Sequence, residues 1–316
     1  MNINYLKGLA HVVLAVGIAF SADVYSQTKK AVPVESFRAV TIVTQPDAIV
    51  WLDGVRFGKG DATGKLTIKT VSSGAHTVRV RADGFAEKSQ ALLPAQKGDV
   101  KVALTKTTDE AELAYQEAER LTAVDREKSA AAYRKAIMAR PNYPEAYLGL
   151  ARVLLDSGDG EEAEKAIIQA RKLRPGYAEA SAVEGRIQKD IGEEAKTIAA
   201  FKRAITEGKG FQPEAYAGLG LLYKEKAETA GNSGDLDGEN TNLTESAKNL
   251  KTALKQLSGA PDAVIIYQLL GLIYERQKKP ADAIALYEEF LRIFPDAAEA
   301  TAVRSFIVQL KKGITE

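Results

Sequence analysis

Pro141 and Pro175 stand 34 residues apart, with nearly one helix-turn-helix written between them. A unit of that length cannot bury its apolar face alone, so it must stack on copies of itself. The C-terminal two-thirds of the chain is therefore expected to be a solenoid of helical hairpins, an architecture for holding other molecules. Tyr147, Leu150, Ala151 and Leu154 fall on one face of a first helix, and the small Ala151 lets the second helix approach. Gly158 and Asp159 end that helix where a left-handed residue is needed. Ala163, Ile167 and Ala170 form the facing stripe, and Pro175 stops the second helix because its ring cannot continue the hydrogen-bond ladder.

These positions resemble the tetratricopeptide signature. The unit recurs at Tyr267, Leu270, Gly271, Tyr274, Ala283, Tyr287 and Pro295, and it closes a first copy at Tyr133, Ala136 and Pro141. Gly185, Gly192, Phe201 and Ala204 mark a weaker copy, whose first helix is read over 184–190. Tyr216, Leu219, Gly220 and Tyr223 open another, whose partner helix, 246–257, arrives late behind an insertion over 231–244. The expected repeats are 109–141, 142–175, 176–210, 211–261 and 262–295, with a helix over 297–312 covering the last apolar face.

A different period precedes the repeats. Val40 and Ile42, Ile49 and Trp51, Leu66 and Ile68, then His76, Val78 and Val80 alternate, and Val100, Val102 and Leu104 close the series. Asp53-Gly54, Ser73-Gly74, Asp83-Gly84 and Lys97-Gly98 supply turns, so residues 37–107 read as a small all-β sandwich. Val50 to Gly54, Gly58, Gly74 to Val80 and Asp83-Gly84-Phe85 resemble the PEGA domain. The eponymous tetrapeptide is shortened here to Pro46-Asp47-Ala48. That resemblance implies only a β-rich module common in envelope and surface-layer proteins, and it does not imply an enzyme.

At the N-terminus, Leu9 to Phe20 is an apolar run of twelve behind Lys7 and ahead of Ser21, Ala22 and Ser26. This is the layout of a secretory signal over 1–26, cut after Ala22 or Ser26, followed by a linker over 27–36. An uncleaved anchor is the alternative, and membrane contact is expected only in that case. Cysteine is absent, which removes disulfides, thiol catalysis and thiolate metal sites together and fits an exported bacterial protein of the periplasm or envelope.

Residues 37–107 carry eleven lysines and arginines against six aspartates and glutamates, and residues 108–316 carry 29 against 34. The basic module suits an anionic envelope polymer and the acidic solenoid suits basic segments; ordinary surface solubility explains balances this small equally well. Alternation puts Thr77, Arg79 and Arg81 on one face of their strand. Arg79 and Arg81 are the basic residues expected to be displayed together toward such a polymer. No nucleic-acid partner is expected.

Catalytic readings do poorly. The single histidine after the apolar run, His76, alternates with two valines and reads as structural. Residues 58–65 look like a phosphate loop, but Leu66 stands where Ser or Thr would hold magnesium and no helix follows. The acidic insertion, with Asp235, Asp237 and Glu239, reads as a solvated loop ahead of a calcium site, since Asn240 stands where an EF-hand needs glycine. No catalytic residue, cofactor or metal is expected.

What remains is the inner groove of the solenoid. The resemblance implies that non-core positions of the first helices contact a protein or peptide segment. They are Leu148, Arg152 and Leu155, then Arg186 and Lys189, Leu221 and Lys224, and Leu272 and Arg276. The cations form a ladder toward partner carboxylates, or they pair with Asp156, Asp190 and Glu225 beside them. The chain thus reads as a non-enzymatic scaffold with a β module for positioning or tethering. The alternative is a polymer-binding module on a helical stalk.

Overall fold

The computed structural model describes residues 37–315, so the expected signal segment lies outside the described residues. Seven strands open the described chain: β1 (Arg38–Val43), β2 (Ile49–Leu52), β3 (Val55–Lys59), β4 (Lys65–Val71), β5 (His76–Arg81), β6 (Lys88–Leu92) and β7 (Gly98–Lys101). They make two sheets, β4-β1-β7 and β3-β2-β5-β6, antiparallel except for the β1 and β7 pair. Val40 and Ile42 from one sheet meet Val50, Leu52, Val78 and Val80 from the other in a closed apolar core. Period-2 alternation does this work: each strand gives one stripe to the core and one to the outside. The segment resembling a phosphate loop is the turn between β3 and β4. There Asp61 Oδ1 accepts from the backbone N–H groups of Thr63 at 2.8 Å and Lys65 at 3.0 Å.

Eleven helices follow among the described residues, as five hairpins and a last single helix. They are α1 (Glu110–Leu121) with α2 (Arg126–Ala139), α3 (Pro144–Asp156) with α4 (Gly160–Leu173), and α5 (Ala178–Asp190) with α6 (Glu194–Glu207). Next come α7 (Pro213–Asn232) with α8 (Leu236–Leu257), α9 (Ala263–Arg276) with α10 (Pro280–Ile293), and then α11 (Ala300–Thr315). Proline opens α3, α7 and α10, where its missing N–H is an orphan in any case. Asp109, Asp125, Asp159 and Asp235 cap α1, α2, α4 and α8 through side-chain acceptors.

Two readings are corrected here. The first helix of the third hairpin begins at Ala178, six residues earlier than its polar stretch suggested, because Ala178, Ala180, Ala182 and Val183 supply its buried side. The insertion over 231–244 is not a loop. It lengthens both helices of the fourth hairpin and leaves only a tight turn at 233–235 between them. Asp235 is spent on the Gly238 N–H at 2.9 Å, and Glu239 is paired with Arg276 of α9.

Aromatic rings lock against glycine both within hairpins and between them. A Cβ placed on Gly185 of α5 would lie 2.6 Å from the Phe201 ring, and one on Gly218 of α7 only 2.3 Å from it. Tyr133 meets Gly149 and Tyr287 meets Gly271 in the same manner. Gly218→Ala is therefore expected to cost about 1–3 kcal/mol of stability through overpacking, read as a lower urea midpoint. A neutral result would show that ring and helix can separate freely.

Candidate functional site: the inner face of the solenoid

The first helices line the inner side, since α3 also packs on α5 and α5 on α7, across successive hairpins. The charged ladder predicted from sequence is brought together there and is neutralised within the chain. Arg152 pairs with Glu214 of α7. Arg186 reaches Asp156 at 3.0 Å and Glu214 at 3.6 Å, Lys189 reaches Glu225 at 2.7 Å, and Lys224 reaches Glu228. The Glu214 carboxylate beside Arg152 holds that guanidinium above its ordinary pKa. Of the apolar groove residues, Leu148 and Leu155 are 7% and 6% exposed and belong to the core of the first hairpins. They do not line an open surface, because the neighbouring hairpin covers the inner edge of α3. Leu221 is half-buried. Leu272 is 55% exposed and shares α9 with the exposed Ile265. Arg276 lies on the lengthened fourth hairpin through Glu239, apart from the ladder.

The feature that sequence reasoning missed is the seat of the β module. Residues 37–315 form one compact unit, and the module touches the helices at two places, on α1 and beside α8 and α9. At the first hairpin, Arg81 is 4% exposed. Its Nη1 lies 2.8 Å from Glu119 Oε2 and its Nε 3.3 Å from Glu112 Oε1, with the guanidinium 4.2 Å over the Tyr115 ring. Burial opposes the charged form of Arg81, but Tyr115, Glu119, Glu87 and Glu112 outweigh it and hold its pKa above the ordinary value. Gln116, between the two glutamates, accepts from the Gly84 N–H at 2.8 Å and donates to the Phe85 carbonyl at 2.7 Å.

Farther along the stack, Ser258 after α8 donates to the Thr70 carbonyl at 2.8 Å, and Thr70 donates back to the Ser258 carbonyl. Beside it, Val55 and Phe57 join the apolar cluster of Leu250, Ile266, Tyr267 and Leu270 from α8 and α9. His76 serves this hairpin tip: its Nδ1 is 2.6 Å from Asp53 Oδ2, while Asp53 Oδ1 accepts from the Thr77 N–H.

The expectation that Arg79 and Arg81 are displayed together is thereby corrected. They do share a face, with Trp51, and Arg79 stacks 4.1 Å over that ring. Arg79 and Arg81 lie over the Trp51 ring, which is 7% exposed although outside the sandwich core, and α1 closes over Arg81. The legible signal was a row of charge and aromatic on one sheet face, beside Glu112, Gln116 and Glu119 at helical spacing on α1.

The tetratricopeptide-repeat family matches residues 109–187 and again residues 232–298. The helical region carries tetratricopeptide repeats. Such repeats generally serve as protein-interaction scaffolds. Among solved structures, yeast Tom70 is similar at 16% identity over 66% of this chain and 41% of its own, with a TM-score of 0.51. A thermophilic tetratricopeptide protein of Thermus thermophilus is similar at 18% identity over 63% of this chain and 99% of its own, with a TM-score of 0.47. MamA is similar at 22% identity over 61% and 96%, with a TM-score of 0.41. At these identities the likeness is one of fold. No curated protein matches the chain. Among the described residues, no group of acidic or histidine side chains is placed to hold a metal, and no helix is long and apolar enough to cross a membrane.

Proposed function

We propose that the chain is an exported, non-enzymatic protein of a bacterial envelope whose tetratricopeptide solenoid recruits a protein partner, with the β module positioning or tethering it. The observation that carries this reading is the stack of tetratricopeptide hairpins itself, whose inner face mixes charged side chains with the exposed Leu272 and Ile265 of α9. A scaffold needs many contact positions on a rigid frame and no reacting group, which is what the first helices offer. The polymer-binding alternative loses the pair of arginines on which it rested, since Arg81 is buried.

The test is in-cell crosslinking from photoreactive side chains placed at Leu221 and Leu272, followed by mass spectrometry. Recovery of one protein from both positions is the expected result. Crosslinks that return only envelope polymer, or nothing above an untreated control, would overturn the scaffold reading.

A further inference from the structure

The stripe of α1 formed by Glu112, Gln116 and Glu119 is a built seat, and its present occupant belongs to the chain itself. Two carboxylates one helical stripe apart take a guanidinium, and the Tyr115 ring lies beneath it. The amide between them satisfies one backbone N–H and one backbone C=O, at Gly84 and Phe85, without regard to side chain. The chemistry recognised is thus an arginine in extended backbone, followed three and four residues later by a free amide and a free carbonyl.

Both halves of this contact stay satisfied when parted. On the module, Glu87 Oε2 lies 2.7 Å from Arg81 and 3.0 Å from Arg79. On the helices, Glu112 accepts from the Tyr143 hydroxyl at 2.7 Å and from Gln116 at 2.9 Å, and Glu119 accepts from the Tyr115 hydroxyl at 3.2 Å. A buried ion pair is normally hard to open because opening strands a charge without a partner. Here the guanidinium keeps the Glu87 carboxylate, and Glu112 and Glu119 keep their hydroxyl and amide donors as they open to water. The apolar part of the contact, Val55 and Phe57, lies beside α8 and α9 and not on α1. At α1 the contact is polar, and interfaces of that kind between parts of one chain are the exchangeable ones. The opposite charge balances of module and solenoid favour the same arrangement.

We propose that Glu112, Gln116 and Glu119 are a docking surface for an arginine-bearing extended segment of a protein partner, and that Arg81 holds the place until such a segment displaces it. This inference rests on the scaffold reading and names the chemistry of its partner.

The probe is a fluorescent peptide with the chain's own sequence from Thr77 to Phe85, titrated by anisotropy into the full chain. Arg81→Ala should bind the peptide at least tenfold more tightly than the wild type. Adding Glu119→Gln should erase that gain, and a peptide with alanine in place of its second arginine should not bind. Equal binding by wild type and Arg81→Ala, or binding indifferent to the peptide's arginine, overturns the proposal.

Hydrogen exchange on the wild-type chain supplies a readout that needs no variant. Saturating peptide should speed exchange of the Gly84 amide, and unchanged exchange again overturns it. A cellular partner crosslinked at Leu221 and Leu272 together with a silent peptide would leave the scaffold and remove this seat. Peptide binding without any cellular partner would do the reverse.

Discussion

Phe201→Ala should lower the unfolding free energy by about 3–5 kcal/mol, the cost of emptying a large aromatic site in a core that collapses poorly. The phenyl ring is fully buried, and the cluster around it is otherwise built from Ala182, Ala204, Ala215 and Leu219. It therefore carries most of the apolar volume at the junction between the third and fourth hairpins. Gly185 and Gly218 approach it from two helices and have no side chains with which to refill the space. Guanidinium unfolding followed by circular dichroism is the measurement. A loss under about 1.5 kcal/mol, the range of a volume-conserving swap, would mean that the junction is held by its ion pairs. Stacked repeats couple chiefly through such junctions, so the variant is also expected to unfold in two steps, the first leaving one half of the stack folded.

The second large effect concerns the tie just past α8. Thr70 and Ser258 donate hydrogen bonds to each other's carbonyl oxygens across 188 residues of sequence, which sets the two side chains beside each other. Thr70→Cys combined with Ser258→Cys should form a disulfide on mild oxidation, and the chain has no other cysteine to compete. Chain-entropy reasoning for a loop of that length gives an upper value of about 5 kcal/mol, with about 2–4 typical of real bridges. The reduced form of the same variant is the internal control, so the prediction is a difference in denaturation midpoint between two redox states of one protein. Failure to oxidise would show that the two residues do not stay together in solution. Oxidation without stabilisation would show that the bridge strains the contact it replaces.

The hairpins were legible because the repeat period and the ring-on-glycine positions are local. Tyr147, Leu150, Ala151 and Leu154 announce their face without help from any other part of the chain. The lengthened fourth hairpin was harder to read. Gly231, Gly234 and Gly238 among acidic residues imitate a solvated loop, whereas Leu243, Ala247, Leu250 and Leu254 at helical spacing, with Asp235 as a cap, outweigh them once they pack. Strands β3 and β6 escaped notice because each shows little alternation. Val55 of β3 belongs to the helical cluster, and Phe57 serves both that cluster and the sandwich.

The inner face illustrates the limit most clearly. Periodicity says that Arg79 and Arg81 leave the sandwich on one side, and that Leu148 and Leu155 leave the α3 stripe. What then lies against them is a matter of tertiary placement. For Arg81 it is the α1 glutamates, for Arg79 the Trp51 ring and Glu87 of its own module, and for the two leucines the neighbouring hairpins.

The link between Thr70 and Ser258 has a mechanical corollary. A solenoid whose hairpins touch only their neighbours extends under load like a soft spring, each junction yielding a little. With one end of the β module held at α1 and the other just past α8, the coil between them is spanned by a strut, and tension on it falls first on that strut. Stiffness then depends on whether the strut is in place. A partner that lifted the module away would leave the chain more compliant as well as more exposed.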